Sequence, residues 1–124
     1  MSSTPGRAMK PATGRLRRRY ARYRCEFPVV VSLLSEKEHR ELNAHCRDVS
    51  QAGIGVLLAE ELPLGEVAAL TFSLPGVPQA WDVRAVLRHR RGYHYGFEFL
   101  SLSDRQVKLL NHYLQDLERA DSEE

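Results

Sequence analysis

From Cys25 to Phe99 the chain is a succession of short runs in which every second residue is apolar, separated by polar or Gly/Pro-rich breaks. That period matches the alternating faces of a β-strand and no face of a helix. Phe27, Val29, Val31 and Leu33 alternate in the first run, and the β-branched Val29-Val30-Val31 favours extended backbone. Pro28 has no N–H to give a ladder, so it predicts an edge position or the opening of a strand. Further strands are predicted over Leu42 to Val49, Ile54 to Ala59, Val67 to Leu74 and Trp81 to Arg88, the last with Trp81, Val83, Ala85 and Leu87 on one face. The sixth carries the clearest alternation, with Tyr93, Tyr95, Phe97 and Phe99 sharing a face. Leu62-Pro63-Leu64-Gly65, Pro75-Gly76-Val77-Pro78 and Arg90-Arg91-Gly92 supply turns between them.

After Phe99 the spacing becomes helical. Ser103 followed by Gln106 makes a capping box, and Asp104 suits the positive end of the helix dipole. Val107, Leu110, Tyr113 or Leu114, and Leu117 form the apolar stripe. Six strands and one helix predict a mainly β fold, a six-stranded antiparallel β-barrel with a C-terminal α-helix. At 124 residues this is one domain's worth of chain. Residues 1–14 are expected to be a disordered basic arm, 15–120 the barrel with its helix, and 121–124 an acidic tail.

Charge is distributed unevenly. Residues 1–24 hold eight basic side chains and no acidic one, leaving 10 basic against 16 acidic residues in the remainder. A basic arm on an acidic body predicts one local anion site and argues against a surface that binds nucleic acid throughout. No apolar run approaches the roughly eighteen residues of a membrane helix, and no apolar segment follows the N-terminal basic residues, so neither membrane insertion nor a secretory leader is expected. Cys25 and Cys46 are too few for a disulfide scaffold and lack metal spacing, which predicts a cytoplasmic protein with free thiols. His39, His45, His89, His94 and His112 are scattered without ligand spacing, and no catalytic constellation or phosphate-loop pattern is present. The expectation is a protein with neither enzymatic activity nor a cofactor.

Two segments carry chemistry. Arg17-Arg18-Arg19-Tyr20-Ala21-Arg22 runs into the first strand, and Asp48-Val49-Ser50-Gln51-Ala52-Gly53 lies between the second and third. Guanidinium binds phosphate oxygens in a two-pronged fashion and reads the O6/N7 edge of guanine. A carboxylate accepts from the guanine N1–H and N2–H₂ groups, a serine adds a hydroxyl, and a glycine lets the backbone come close. Alone, an arginine run is as well explained by a solvated leader, and Asp48–Gly53 by an ordinary turn. Arg84 and Arg88 read as residues of a solvated strand face, with Arg88 an optional further cation.

Arg-x-x-x-Arg (Arg18 and Arg22) ahead of the first strand, followed by Asp-x-Ser-x-x-Gly (Asp48, Ser50, Gly53), resembles the PilZ domain, a family that binds the bacterial messenger cyclic di-GMP. Leu62-Pro63-Leu64-Gly65 and Gly96-Phe97-Glu98-Phe99 extend the likeness over roughly residues 17–117. The resemblance implies that Arg18 and Arg22 grip phosphates and guanine edges while Asp48, Ser50 and Gly53 hold a base against the barrel. Arg17, immediately before the two-arginine motif, is the position that the resemblance associates with an intercalated pair of ligands, against one ligand where the residue is bulky and apolar. The implied function is a non-catalytic cyclic di-GMP receptor whose arm closes over the ligand and reshapes a surface for an effector protein. The alternatives are a protein–protein adaptor on the same fold, as in pilus assembly, and a small barrel binding single-stranded nucleic acid.

Overall fold

The computed structural model describes residues 20–34 and 40–117. Six strands, β1 (Tyr23–Leu33), β2 (Glu41–Val49), β3 (Gly53–Leu57), β4 (Val67–Ser73), β5 (Ala80–Arg91) and β6 (His94–Phe99), precede one helix, α1 (Asp104–Leu114). The strands close into a barrel in the order β1-β2-β3-β6-β5-β4, with every neighbouring pair antiparallel. The mainly β class, the closed six-stranded barrel and the single C-terminal helix are those the sequence predicts. The expected arm, the acidic tail, Arg17 and Arg18 lie outside the described residues.

Alternation fills the barrel. Val29, Val31, Leu33, Val49, Ile54, Val56, Leu70 and Leu87 are buried inside it. Phe27 and Phe72 stack with centroids 5.5 Å apart, and Trp81 lies 5.8 Å from Phe72. Tyr95 is wholly buried with its hydroxyl satisfied on both sides, donating to the Glu60 carbonyl at 2.6 Å and accepting from the Leu62 N–H at 3.2 Å. Helix α1 adds Leu110 and Leu114 to the same core. Its capping box forms as expected: Ser103 Oγ accepts from the Gln106 N–H at 3.1 Å, and Gln106 Oε1 accepts from the Ser103 N–H at 2.9 Å.

Three expectations need correction or refinement. Tyr93 does not share the inner face of β6; it sits in the two-residue loop between Arg91 and His94 and is exposed. Gly92, at φ +61°, supplies the positive φ that so tight a hairpin loop needs. Pro28 is not at a strand opening; it stands in mid-strand where β1 is paired on one side alone, the local edge that a proline tolerates. It pairs with His45 in mid-strand, one residue before Val29 begins the ladder to β4. Val107 is exposed and leaves the burying of α1 to Leu110 and Leu114.

Bulges interrupt the alternation at three places. In β1 two residues, Cys25 and Glu26, face the single Arg47 of β2. Arg47 is likewise the extra residue of β2 against β3, and Arg88 that of β5 against β6. Leu42, Ala44 and Cys46 point inward in sequence, so strict alternation would send Asp48 inward too. The extra residue at Arg47 reverses the phase, burying Val49 and turning Asp48 out.

Removing the Tyr95 hydroxyl tests this packing. Tyr95→Phe leaves the Leu62 N–H without an acceptor and the Glu60 carbonyl without its donor, and is expected to cost about 1–3 kcal/mol in urea unfolding, with the barrel retained by circular dichroism.

Candidate functional site

The outward turn of Asp48 begins a row of residues that runs directly across four strands. Asp48 pairs with Gly55, Gly55 with Gly96, and Gly96 with His89. The two glycines leave a bare patch on the outer wall between a carboxylate and an imidazole. Both neighbours lie down over it. A Cβ on Gly55 would come within 2.7–2.8 Å of the Asp48 carboxylate oxygens and 2.8 Å of the His94 ring, and one on Gly96 would collide with the His89 ring. Close approach is what these positions require, since neither glycine has a positive φ.

Arg22 is held over this patch. Its Nη1 donates to Asp48 Oδ1 at 2.6 Å, and its Nη2 lies 3.5 Å from His89 Nε2. The other carboxylate oxygen of Asp48 lies 3.2 Å from His94 Nε2. Arg22 and Asp48 are both part-buried, so their charge-assisted pair is screened less than a surface pair. The arrangement fixes a guanidinium fork and a carboxylate side by side on a groove floor with no side chains. Such a surface can offer paired donors and paired acceptors to one flat polar ligand edge.

Beside it opens a cleft of about 540 Å³. Gly53, Gly96 and Phe97 line it together with Arg22 and His89, and Tyr20, Leu102 and Val107 contribute apolar surface. Arg88 and Glu98 stand at its margin, joined at 2.6 Å and both exposed. The expectation that Arg88 sits on a solvated face therefore holds for its exposure, while the bulge also places it at the cleft.

The Ser50–Gly53 loop forms another part of the wall, and it is built by its own serine. Ser50 is buried; its Oγ accepts from the N–H groups of Ala52 at 3.1 Å and Gly53 at 3.2 Å, while its own N–H donates to the Gly53 carbonyl at 2.9 Å. Gly53 does not take the positive φ expected of a turn glycine. A Cβ there would collide with the Phe97 carbonyl, so the residue is small because β3 and β6 approach closely. Gln51 Nε2 donates to Asn111 Oδ1 at 2.6 Å and ties the loop to α1. Alongside, a groove of about 420 Å³ runs between Tyr20, Ala21 and Tyr23 on one side and Asn111, Leu114 and Gln115 on the other.

Of the six expected site residues, the structure brings Arg22, Asp48, Ser50 and Gly53 together; Arg17 and Arg18 lie outside the described residues. The sequence reading missed His89 and His94 as partners of Arg22 and Asp48, and Gly55 and Gly96 as the floor. A signal for the floor was present, since glycine inside a predicted strand marks close approach. Among the described residues, no group of three or more His, Cys, Asp or Glu is placed to hold a metal ion, and no helix is long and apolar enough to cross a membrane.

Ser50→Ala removes the acceptor shared by the Ala52 and Gly53 N–H groups. It is expected to lower stability by about 1–2 kcal/mol in chemical unfolding, even without any ligand present.

The family model described as PilZ domain matches residues 16–116. The fold is similar to the PilZ domain of YcgR from Escherichia coli, solved with c-di-GMP, at a TM-score of 0.65 and 21% identity over 82% of this chain and 91% of that one. It is also similar to the Bacillus subtilis inhibitor of motility MotI/DgrA, at a TM-score of 0.64 and 19% identity over 79% of this chain and 49% of that one. An uncharacterised protein of Aquifex aeolicus (strain VF5) is 29% identical over 101 residues, which are 79% of this chain and 48% of that protein. The chain thus spans about half the length of that relative.

Proposed function

We propose that this chain, which belongs to the PilZ domain family, is a non-catalytic cytoplasmic receptor for cyclic di-GMP. The observation that carries the reading is the Arg22 guanidinium held over the Gly55–Gly96 floor by Asp48 and His89, at the edge of a cleft of ligand size. Cyclic di-GMP presents two phosphates and two guanines. Arg22 meets a phosphate or a guanine O6/N7 edge, and Asp48 accepts from guanine N1–H and N2–H₂. Ser50 acts mainly by shaping the loop, and Gly53 by letting β3 and β6 close beneath the base.

Tyr20 lines the cleft, and Arg18 precedes it by only two residues. Two residues span at most about 7 Å of extended chain, within reach of a ligand bound there. In the free protein the arginines of the arm repel one another. Ligand phosphates neutralise them, the arm closes, and arm, barrel and α1 together present a new surface to an effector protein. Arg17 adds a further cation, suited to the four phosphates of two stacked ligands in one site.

Calorimetry with cyclic di-GMP tests the reading, and no heat of binding at micromolar concentrations overturns it. Arg22→Ala and Asp48→Ala are each expected to weaken binding at least tenfold, about 1.4 kcal/mol. Gly55→Ala, which deletes no polar group, is expected to weaken it as well by displacing Asp48. Arg17→Ala is expected to lower the stoichiometry from two ligands to one.

A further inference from the structure

Cys25 and Cys46, expected to be unconnected free thiols, face each other inside the barrel wall with their Sγ atoms 2.8 Å apart. They meet at the bulge where Cys25 and Glu26 of β1 face Arg47 of β2. Both side chains are already ordered, and their separation exceeds the bond length of a disulfide, about 2.04 Å, by less than 1 Å. The two residues differ in access. Cys46 is fully enclosed, whereas Cys25 lines a surface cavity of about 260 Å³ whose other walls are Arg24, Glu26 and Arg47. Cys25 is thus the residue nearer to solvent, and the Cys46 sulfur lies directly against its own.

We propose that Cys25 and Cys46 form an oxidisable dithiol site that admits hydrogen peroxide through the Arg24–Arg47 cavity and closes to an intramolecular disulfide. Cys25 sulfur attacks the peroxide, the O–O bond breaks, and the products are a sulfenic acid at Cys25 and one water. Cys46 sulfur then attacks that sulfur, the S–O bond breaks, and the leaving hydroxide takes the Cys46 proton as a second water. Two thiols are oxidised by two electrons in total, and one peroxide is reduced to two waters. The hydrogen bond with Cys25, and then burial, raise the Cys46 thiol above its ordinary range, so Cys46 is not the sulfur that meets the peroxide.

The pair adjoins the ligand site and the helix. The Cys46 thiol donates to the Asp48 carbonyl at 3.3 Å. Tyr113 of α1 is pushed up to about 12, first by burial and then by the charges that Cys25 and Cys46 would carry. Closing the disulfide removes the donor to Asp48 and locks the bulge on which the outward turn of Asp48 depends. Oxidation and ligand binding are therefore linked, and each shifts the other by the same factor. This linkage rests on the cyclic di-GMP reading; the dithiol chemistry does not.

The test treats the full chain with a small excess of hydrogen peroxide and follows mass and free thiols. The expected product is a monomer lighter by about 2 Da, from loss of two hydrogens, with both thiols consumed and restored by dithiothreitol. Cys46→Ser is expected to stop at a dimedone-reactive sulfenic acid on Cys25, and Cys25→Ser to resist oxidation under the same conditions. Wild-type protein that keeps two free thiols while glutathione in the same tube is oxidised overturns the proposal, as does oxidation that only joins two chains. Oxidised protein is further expected to bind cyclic di-GMP at least threefold more weakly than reduced protein. Equal affinities overturn the linkage, and absence of binding by the reduced form overturns the ligand reading instead of the redox site.

Discussion

Closure of the barrel is the constraint from which the site follows. With six strands hydrogen-bonded in a ring, every strand has two neighbours and none can shift register without disturbing both. A residue's facing is then fixed by its place in the alternation, and an extra residue is the economical way to reverse it. Arg47 does this for Asp48, and Arg88 places His89 opposite Gly96. The bulges in β1, β2 and β5 all fall beside the groove. The regular parts of the same strands hold Phe27, Phe72 and Trp81 in the interior. Irregularity is confined to the end of the barrel that carries the polar chemistry.

At that end, polar contacts form two sets that face the same cleft. His94 touches Asp48, Asp48 touches Arg22, and Arg22 reaches His89. The Ser50 loop supplies the adjoining wall and reaches α1 through Gln51 and Asn111. Within the loop, Gln51 is the side chain that ties the cleft wall to the helix. The contacts at 2.6 Å, Arg22 with Asp48 and Gln51 with Asn111, are the shortest links in the two sets.

The architecture was legible because period two is a strong signal wherever a barrel interior must be filled. Val29, Val31, Trp81, Val83, Tyr95 and Phe97 all follow it, and Ser103 with Gln106 marked the helix start. Tyr93 was misplaced because the turn was located at Arg90-Arg91-Gly92, whereas Arg90 and Arg91 stay in the strand and the loop is Gly92-Tyr93. The site was legible only in part. Motif residues show which groups gather, but a bulge is a fact of pairing between distant strands, and nothing local at Arg47 or Arg88 announces it. His89 and His94 were passed over for the same reason, since their partners lie 67 and 46 residues away. Cys25 and Cys46 looked unrelated at a separation of 21 residues until the β1–β2 register brought them together.

In the groove between Tyr20, Ala21 and Tyr23 and the end of α1, the entry to the first strand meets the C-terminal helix. The first and last described segments lie side by side there, next to the cleft. Tyr20 lines both the groove and the cleft, so the entry to β1 serves at once as a wall of the cleft and as the neighbour of the helix end.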